Sequence, residues 1–406
     1  MSIKTWNASF IMLEALIIFV YFNPIADLFP SYIQIGIFIL WLLFNLMEHS
    51  KFWREAISIS ILNIIIFIFT FFRCVIADQL NMGYYSTLQV VIERYQLVVY
   101  TILFVYVKHL SLLEKRRIVI LAFSCIVGTI LVSLYYIFFL DPQAIRNTQR
   151  AVPLLGVGDF MLMYSIAILI GPLLFLIIER IKYKKKIKLL VVTFILMLIC
   201  LILCNLVTSV VIALASVLIT YIVRQKNKMF VISFCCLLAT LTKNFFAKLL
   251  YYIATKEIFY WSTNNKIIAI ANVLSGNMTH LDTLSRRCML AGWSLQSFQD
   301  NPLLGINWRS HEYGKIGCHM QWIDDLGRYG IIGNIILIIN YICIIRYTVR
   351  SVDDVFTKKA LISAWITLCI LGCLNPCLSA TNLMMIFIII PSLESLFPIK
   401  NWRRSR

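Results

Sequence analysis

The sequence predicts an all-α polytopic membrane protein with about twelve transmembrane helices. Hydrophobic residues make up 61% of the 406 residues and charged residues only 14%, whereas soluble domains are about 45–50% apolar. The apolar residues form blocks of about 15–25, the length at which an α-helix crosses a hydrocarbon core of roughly 30 Å. Such blocks exclude a membrane β-barrel, whose strands are about ten residues long and alternate in polarity.

Twelve of these blocks are predicted as spans, and the ninth is the shortest. The first is expected to stay in the protein, because no small-residue cleavage site follows it. In chain order the spans cover residues 8–23, 31–47, 56–72, 88–107, 118–140, 153–178, 187–204, 206–223, 229–242, 329–346, 358–374 and 380–397.

The basic residues orient these spans. Most of the 37 lysines and arginines fall in alternate connections, whereas the short connections of the other side hold only Arg73, Arg146 and Arg150. Cytoplasmic segments carry the excess of basic residues, so both termini are predicted to be cytoplasmic. The same rule, with contact to anionic lipid, accounts for the net charge of +18 and excludes a nucleic-acid partner.

One connection, residues 243–328, is far longer than the others and divides the chain into 1–242, 243–328 and 329–406. It is predicted to lie outside the cytoplasm and to contain amphipathic helices. In one of them Asp282 is expected to be the N-cap, with an apolar stripe of Leu284, Cys288, Ala291, Leu295 and Phe298. From its angle to that stripe Arg287 is expected to face the protein, and Arg286 to face water or a ligand.

Several ionisable residues precede the tenth span. His319 is either a catalytic residue or an ordinary loop histidine, at the surface or satisfied by a hydrogen bond. Asp324 and Asp325 are either catalytic or a solvated helix start. A metal site from these three residues matches no strong motif, and we expect none. Cys288 and Cys318 share the long segment, and a disulfide between them is left open.

Several arginines are predicted on the same side of the membrane. Arginine forks suit phosphate, so the cluster indicates a bound diphosphate, with local ion pairs or lipid headgroups as the alternative. Glu93 and Arg94 lie within the fourth predicted span, where charges mark a site unless they pair. The candidate diphosphate-binding residues are Arg146, Arg150, Arg286, Arg309, Arg94 and Glu93.

The segment SRRCMLAGWSLQSFQDNPLLGIN, followed by HMQWIDDLGRYGIIG, resembles the O-antigen polymerase and ligase superfamily of bacterial glycosyltransferases. Arg287 precedes Pro302 as the family arginine precedes its Pro-Leu-Leu-Gly turn. His319 is followed by Gly330 and Gly333 at the family spacing. The earlier segment QRAVPLLGVGDFMLMYS, which contains Arg150, resembles another family loop.

The resemblance implies a GT-C-like fold in the bacterial inner membrane. It implies a Wzy-type polymerase that joins repeat units carried on undecaprenyl diphosphate, with Arg287, His319 and Asp324 or Asp325 as catalytic residues and no cofactor. A flippase and a chain-length regulator are the implied partners. A WaaL-type ligase acting on lipid A core is the alternative, although its usual arginine is missing from CNLVTSVV at 204–211. A polyprenyl-glycan transporter is the alternative of another class.

Overall fold

The structure is a computed structural model that describes residues 3–29, 32–46, 50–79, 84–147, 155–182, 187–256, 261–275, 282–305 and 316–396. Within these ranges the protein is helical and contains no strand, which confirms the all-α prediction. The helices are α1 Ile3–Tyr21, α2 Asn23–Ala26, α3 Tyr32–Leu46, α4 Ser50–Gln79, α5 Tyr84–Lys108, α6 Leu112–Phe139, α7 Ala144–Asn147, α8 Phe160–Lys182, α9 Lys188–Leu203, α10 Val207–Arg224, α11 Lys228–Thr255, α12 Trp261–Ser275, α13 Asp282–Asp300, α14 Gln321–Arg350, α15 Val355–Gly372 and α16 Ala380–Met384.

The last helix changes its winding. After α16 the backbone continues as a π-helical segment, Met385–Ile389, and then as a short α-helical and a 3₁₀ turn that end at Leu396. The π-helical segment is completely buried, so the irregular winding lies in the protein core and away from lipid.

Six described helices are long and apolar enough to cross a membrane, and they confirm that the protein is membrane-embedded. They match the predicted spans at 56–72, 118–140, 153–178, 206–223, 329–346 and 358–374. Shorter apolar helices occupy four more predicted spans, 8–23, 31–47, 187–204 and 380–397.

The predicted spans 88–107 and 229–242 form helices but are not among these ten. The first lies in α5, which carries Glu93 and Arg94, and the second begins α11, which continues with Lys243 and Lys248 to Thr255. The count of twelve therefore stays a prediction.

Helix α8 lies at the centre of the protein, packed against α9, α10 and α15. Pro172 lies within this helix. Because proline has no N–H, the carbonyl of Ile168 lacks its usual helical donor. Ser216 of α10 replaces that donor, since its hydroxyl donates to the Ile168 carbonyl at 2.8 Å. A polar side chain thus satisfies the backbone where no water is expected.

Ion pairs gather at one end of the helices. Lys108 lies 2.5 Å from Glu55, and Lys115 lies 2.7 Å from Glu394. All four residues come from segments at or next to the predicted cytoplasmic connections. The structure therefore brings these segments together, and the side of the membrane on which they lie remains a prediction.

Helix α13 corrects two expectations. Asp282, the first described residue of α13, is already helical and is therefore not its N-cap. The buried face contains Leu290, Ser294 and Ser297, while Leu295 of the predicted inward stripe is 42% exposed. The buried face includes Ser294, which is hydrogen-bonded to Asp324 and Gly317, so the apolar stripe was not a guide to the core.

Candidate functional site

The site is built around a break in α14. Gly330 has φ +63° and ψ −166°, so the helix divides into a short segment before this residue and a long one after it. The N–H groups of Ile331 and Ile332 are accepted by the carbonyls of Pro302 at 2.8 Å and Leu303 at 3.2 Å. The turn before residue 305 therefore caps the start of the long segment.

The break requires glycine. A Cβ at Gly330 would lie 2.5 Å from the backbone nitrogen of Gly305, and a Cβ at Gly305 would lie 2.3 Å from the carbonyl oxygen of Arg328. Both glycines also have positive φ, which side chains disfavour. The Pro-Leu-Leu-Gly turn, which ends at Gly305, therefore packs directly against Gly330, the first glycine of the later motif.

Asp324 fixes the loop that carries His319. Its carboxylate accepts hydrogen bonds from the Ser294 hydroxyl at 2.6 Å and from the Met320 backbone N–H at 2.9 Å. The Ser294 oxygen in turn accepts the N–H of Gly317 at 2.9 Å. Asp324 is 2% exposed, so the interpretation as a solvated helix start is wrong. Its contacts give it a structural role.

Asp325 lies in a buried ion pair with Arg94. Arg94 Nη2 lies 2.7 Å from Asp325, while its Nη1 donates to Tyr341 at 2.7 Å and its Nε to Tyr329 at 3.3 Å. Arg94 is 1% exposed and Asp325 is also 1% exposed. Each nitrogen of the Arg94 guanidinium donates within the protein, and the burial of the side chain keeps its remaining N–H groups from a phosphate in this structure.

Glu93 and Arg328 complete the buried network. Gln321 donates to Glu93 at 3.2 Å and to Asp325 at 3.4 Å. Arg328 lies 3.8 Å from Asp325 and donates to the Cys318 sulfur at 3.4 Å. Two guanidiniums and two carboxylates thus offset one another, as buried charges require.

Arg286, Arg287 and His319 form the accessible part of the site. Arg286 and His319 are exposed, and Arg287 is half-buried, with Nη1 3.2 Å from the carbonyl oxygen of Leu374. The orientation predicted for both arginines is confirmed, although the stripe used to predict it faces elsewhere. Partial burial and the charges of Arg287 and Arg286 lower the pKa of His319, and Asp324 opposes them.

The remaining predicted residues do not join this site in the structure. Arg150 and Arg309 fall outside the described residues, as does the side chain of Arg146. Cys288 and Cys318 are free thiols in the structure. Among the described residues no group of three or more histidines, cysteines or carboxylates could hold a metal.

Gln321, Arg328 and Ser294 were not predicted as members of the site. Gln321 and Arg328 lie four residues before and three residues after the predicted Asp325, so the three share one face of a helix, and that spacing was a usable signal. Ser294 gave no sequence signal of a role in the site, because a serine on an amphipathic helix is normally a solvated residue.

The described residues define a helical, membrane-embedded protein with a buried, internally paired charge network, which contacts the loop carrying His319 through Arg328 and Cys318. Comparison of the chain with protein-family models and with curated proteins gives no match.

Proposed function

We propose that this protein is a membrane glycosyltransferase that joins oligosaccharide repeat units carried on undecaprenyl diphosphate. The observation that carries the proposal is that the loop carrying His319 packs against α13, which carries Arg286 and Arg287. Gly317 donates to the Ser294 hydroxyl at 2.9 Å, and a Cβ at Gly317 would lie 2.3 Å from the Leu290 carbonyl oxygen. The charges of both arginines also lower the pKa of His319. The resemblance implies that His319 and Arg287 serve one active site, although they lie in different segments of the chain. Their proximity is a condition that such a site must meet.

The reaction is a glycosyl transfer. An acceptor hydroxyl attacks the anomeric carbon of the donor sugar, the bond from that carbon to the diphosphate oxygen breaks, and undecaprenyl diphosphate leaves with the electron pair. The new glycosidic bond forms as His319 takes the hydroxyl proton. The lowered pKa of His319 suits this role, because a base must be unprotonated at the working pH.

The two arginines bind the leaving group. Charge grows on the diphosphate as the bond breaks, and fixed donors directed at such charge are a large source of catalysis. Arg286 is exposed, and Arg287 uses one nitrogen on the Leu374 carbonyl. A guanidinium has five N–H donors, so Arg287 keeps donors for phosphate oxygens.

The buried network acts as the support of this site. Asp324 holds the backbone on both sides of His319, through Gly317 by way of Ser294 and through Met320 directly. Catalytic groups need such support, because small displacements cost large factors in rate. Asp324 and Asp325 are assigned to positioning in this proposal, and proton transfer is assigned to His319.

The proposal also includes the cellular setting that the resemblance implies. The protein would lie in a bacterial inner membrane with both termini in the cytoplasm and would act at the outer face. Its substrates would be two lipid-linked glycans, and a flippase and a chain-length regulator would be its partners.

The proposal is tested by the surface glycan of a deletion strain complemented with His319→Ala. We expect the acceptor to carry a single repeat unit, because units are still transferred but no longer joined. His109→Ala is the matched control, since His109 is paired with Glu55 and not with this site. It should restore the full ladder of chain lengths.

Two results would contradict the proposal. A bare acceptor with long polymer accumulating on the lipid carrier would indicate a ligase. A normal ladder with His319→Ala, at a normal protein level, would remove His319 from the reaction.

Arg287→Lys tests the role of the arginine fork. Lysine keeps the charge but loses bidentate geometry, so we expect polymerising activity to fall at least about tenfold, or about 1.4 kcal/mol. Arg117→Lys is the control, because Arg117 pairs with Glu14 in another part of the protein. Equal activities for Arg287→Lys and Arg117→Lys would show that the reaction does not need the fork of Arg287 and that its contacts are structural.

A further inference from the structure

A groove lies between α6 and α9, outside the site described above and independent of its function. Its cavity volume is about 850 Å³, within the range of roughly 300–1,000 Å³ typical of ligand pockets. Its walls are mainly hydrocarbon, from residues such as Val119, Phe123, Leu190 and Leu196. At membrane depth such a groove is filled by apolar chains.

Three cations also line this groove, and each comes from a different helix. Arg116 belongs to α6, Arg180 to α8 and Lys188 to α9. The chain between α8 and α9 reads YKKK at 183–186, so the local sequence adds further positive charge. Like charges that converge in this way repel one another unless an anion joins them.

The described carboxylates of this region are already engaged. Glu394 is held by Lys115, and Glu179 is held by Arg224. Arg180 donates through Nη1 to the Leu396 carbonyl at 3.0 Å, while its Nε is buried without a hydrogen-bond partner. Among the described residues no ion pair neutralises Arg116, Arg180 or Lys188.

The geometry points to an anionic glycerophospholipid as the occupant of this groove. Its phosphate would accept hydrogen bonds from Arg116, Arg180 and Lys188, and an acyl chain would lie along the apolar walls. Phosphate supplies the negative charge that the three cations lack. A soluble anion would leave the apolar walls empty, and a zwitterionic lipid would bring no net charge.

The location agrees with the predicted topology. The groove lies at the end of the protein where Lys115 meets Glu394, which is the predicted cytoplasmic end. The cytoplasmic leaflet is rich in anionic lipid, and basic residues near its surface attract it. The bound lipid would join α6 to α9 and remove the repulsion between Arg116 and Arg180.

The test uses the full chain purified in dodecyl maltoside, with native mass spectrometry in the presence of phosphatidylglycerol or phosphatidylcholine. We expect phosphatidylglycerol to be retained selectively, and the variant Arg116→Gln with Lys188→Gln to bind it at least tenfold more weakly. The matched control is Lys226→Gln with Lys228→Gln, because both lysines are exposed and neither lines the groove. It should bind like the wild type.

A second variant tests the acyl-chain part of the site. Ser124 lines the groove and is exposed, so Ser124→Trp should obstruct the chain and weaken binding without changing the charge. Leu131→Trp, two turns further along α6 and outside the lining, should not.

Three results would overturn the inference. They are equal retention of the two lipids by the wild type, equal loss in the control variant, and a polyprenyl phosphate in place of a phospholipid in the purified protein.

Discussion

Replacing Asp325 with asparagine should lower the free energy of unfolding by about 3 kcal/mol. The buried ion pair with Arg94 has a separation of 2.7 Å, and the two side chains are 2% and 1% exposed. Removing one partner of such a pair costs about 3–5 kcal/mol, because the other charge is left buried. Glu93 reaches the same network through Gln321 and offsets part of the loss, so we expect the lower end of that range.

An exposed pair provides the control with the same chemistry. Glu14 lies 3.0 Å from Arg117, whose side chain is 64% exposed. Arg117 lies just before the predicted span 118–140, so its guanidinium stays hydrated when the carboxylate is lost, and such pairs contribute about 0.2–1 kcal/mol. Glu14→Gln should therefore lower the free energy of unfolding by less than about 1 kcal/mol.

The assay is an unfolding titration of the purified protein in mixed micelles of dodecyl maltoside and dodecyl sulfate, followed by tryptophan fluorescence. Arg94→Met and the double variant with Asp325→Asn complete a thermodynamic cycle. Each single change leaves the other charge buried without its partner. The double variant should therefore lower the free energy of unfolding by at least about 1 kcal/mol less than the sum of the two single variants.

Two results would refute this reasoning. One is an Asp325→Asn protein within about 1 kcal/mol of the wild type, since a lost buried partner costs more than that. The other is strict additivity in the cycle, which would mean that the two residues are not coupled.

Three further predictions follow from the site. Gly330→Ala should greatly reduce the yield of monodisperse protein in size-exclusion chromatography, because a Cβ there meets backbone at 2.5 Å and φ is +63°. The acid limb of the activity profile should lie below pH 6.5, since partial burial and Arg287 lower the pKa of His319. Arg287→Gln should move that limb to higher pH, because one cation that opposes protonation is gone. Maleimide should modify the exposed Cys288 faster than Cys318, whose thiol pKa is raised by burial, as peptide mapping would show.

Each of these predictions has its own control. Gly36→Ala should leave the yield unchanged, because a Cβ at Gly36 meets nothing within 4 Å; equal yields for both glycine variants would argue against the break in α14. Arg117→Gln should not shift the acid limb, and an unshifted limb in Arg287→Gln would separate that arginine from His319. In denaturant the two cysteines should react at similar rates, and equal rates in the folded protein would contradict the burial of Cys318.

The sequence by itself determined the helical, membrane-embedded character of the protein and the position of most apolar helices. These are local properties, because hydropathy and block length act within one segment. The exposure of Arg286 and the partial burial of Arg287 also agree with the prediction. The apolar stripe from which they were predicted does not mark the buried face of α13, so the sequence did not determine them by that route.

The tertiary structure alone decided which charges meet. Arg94 and Asp325 are 231 residues apart in sequence, and no local pattern in either segment specifies the pairing. Ser294 became a buried partner of Asp324, while Cys288 and Leu295 of the neighbouring apolar stripe are exposed. A buried charge is stable only when it is paired or hydrogen-bonded. The partners of Arg94 and Asp325 come from distant segments, so only the packing of the helices could bring them together.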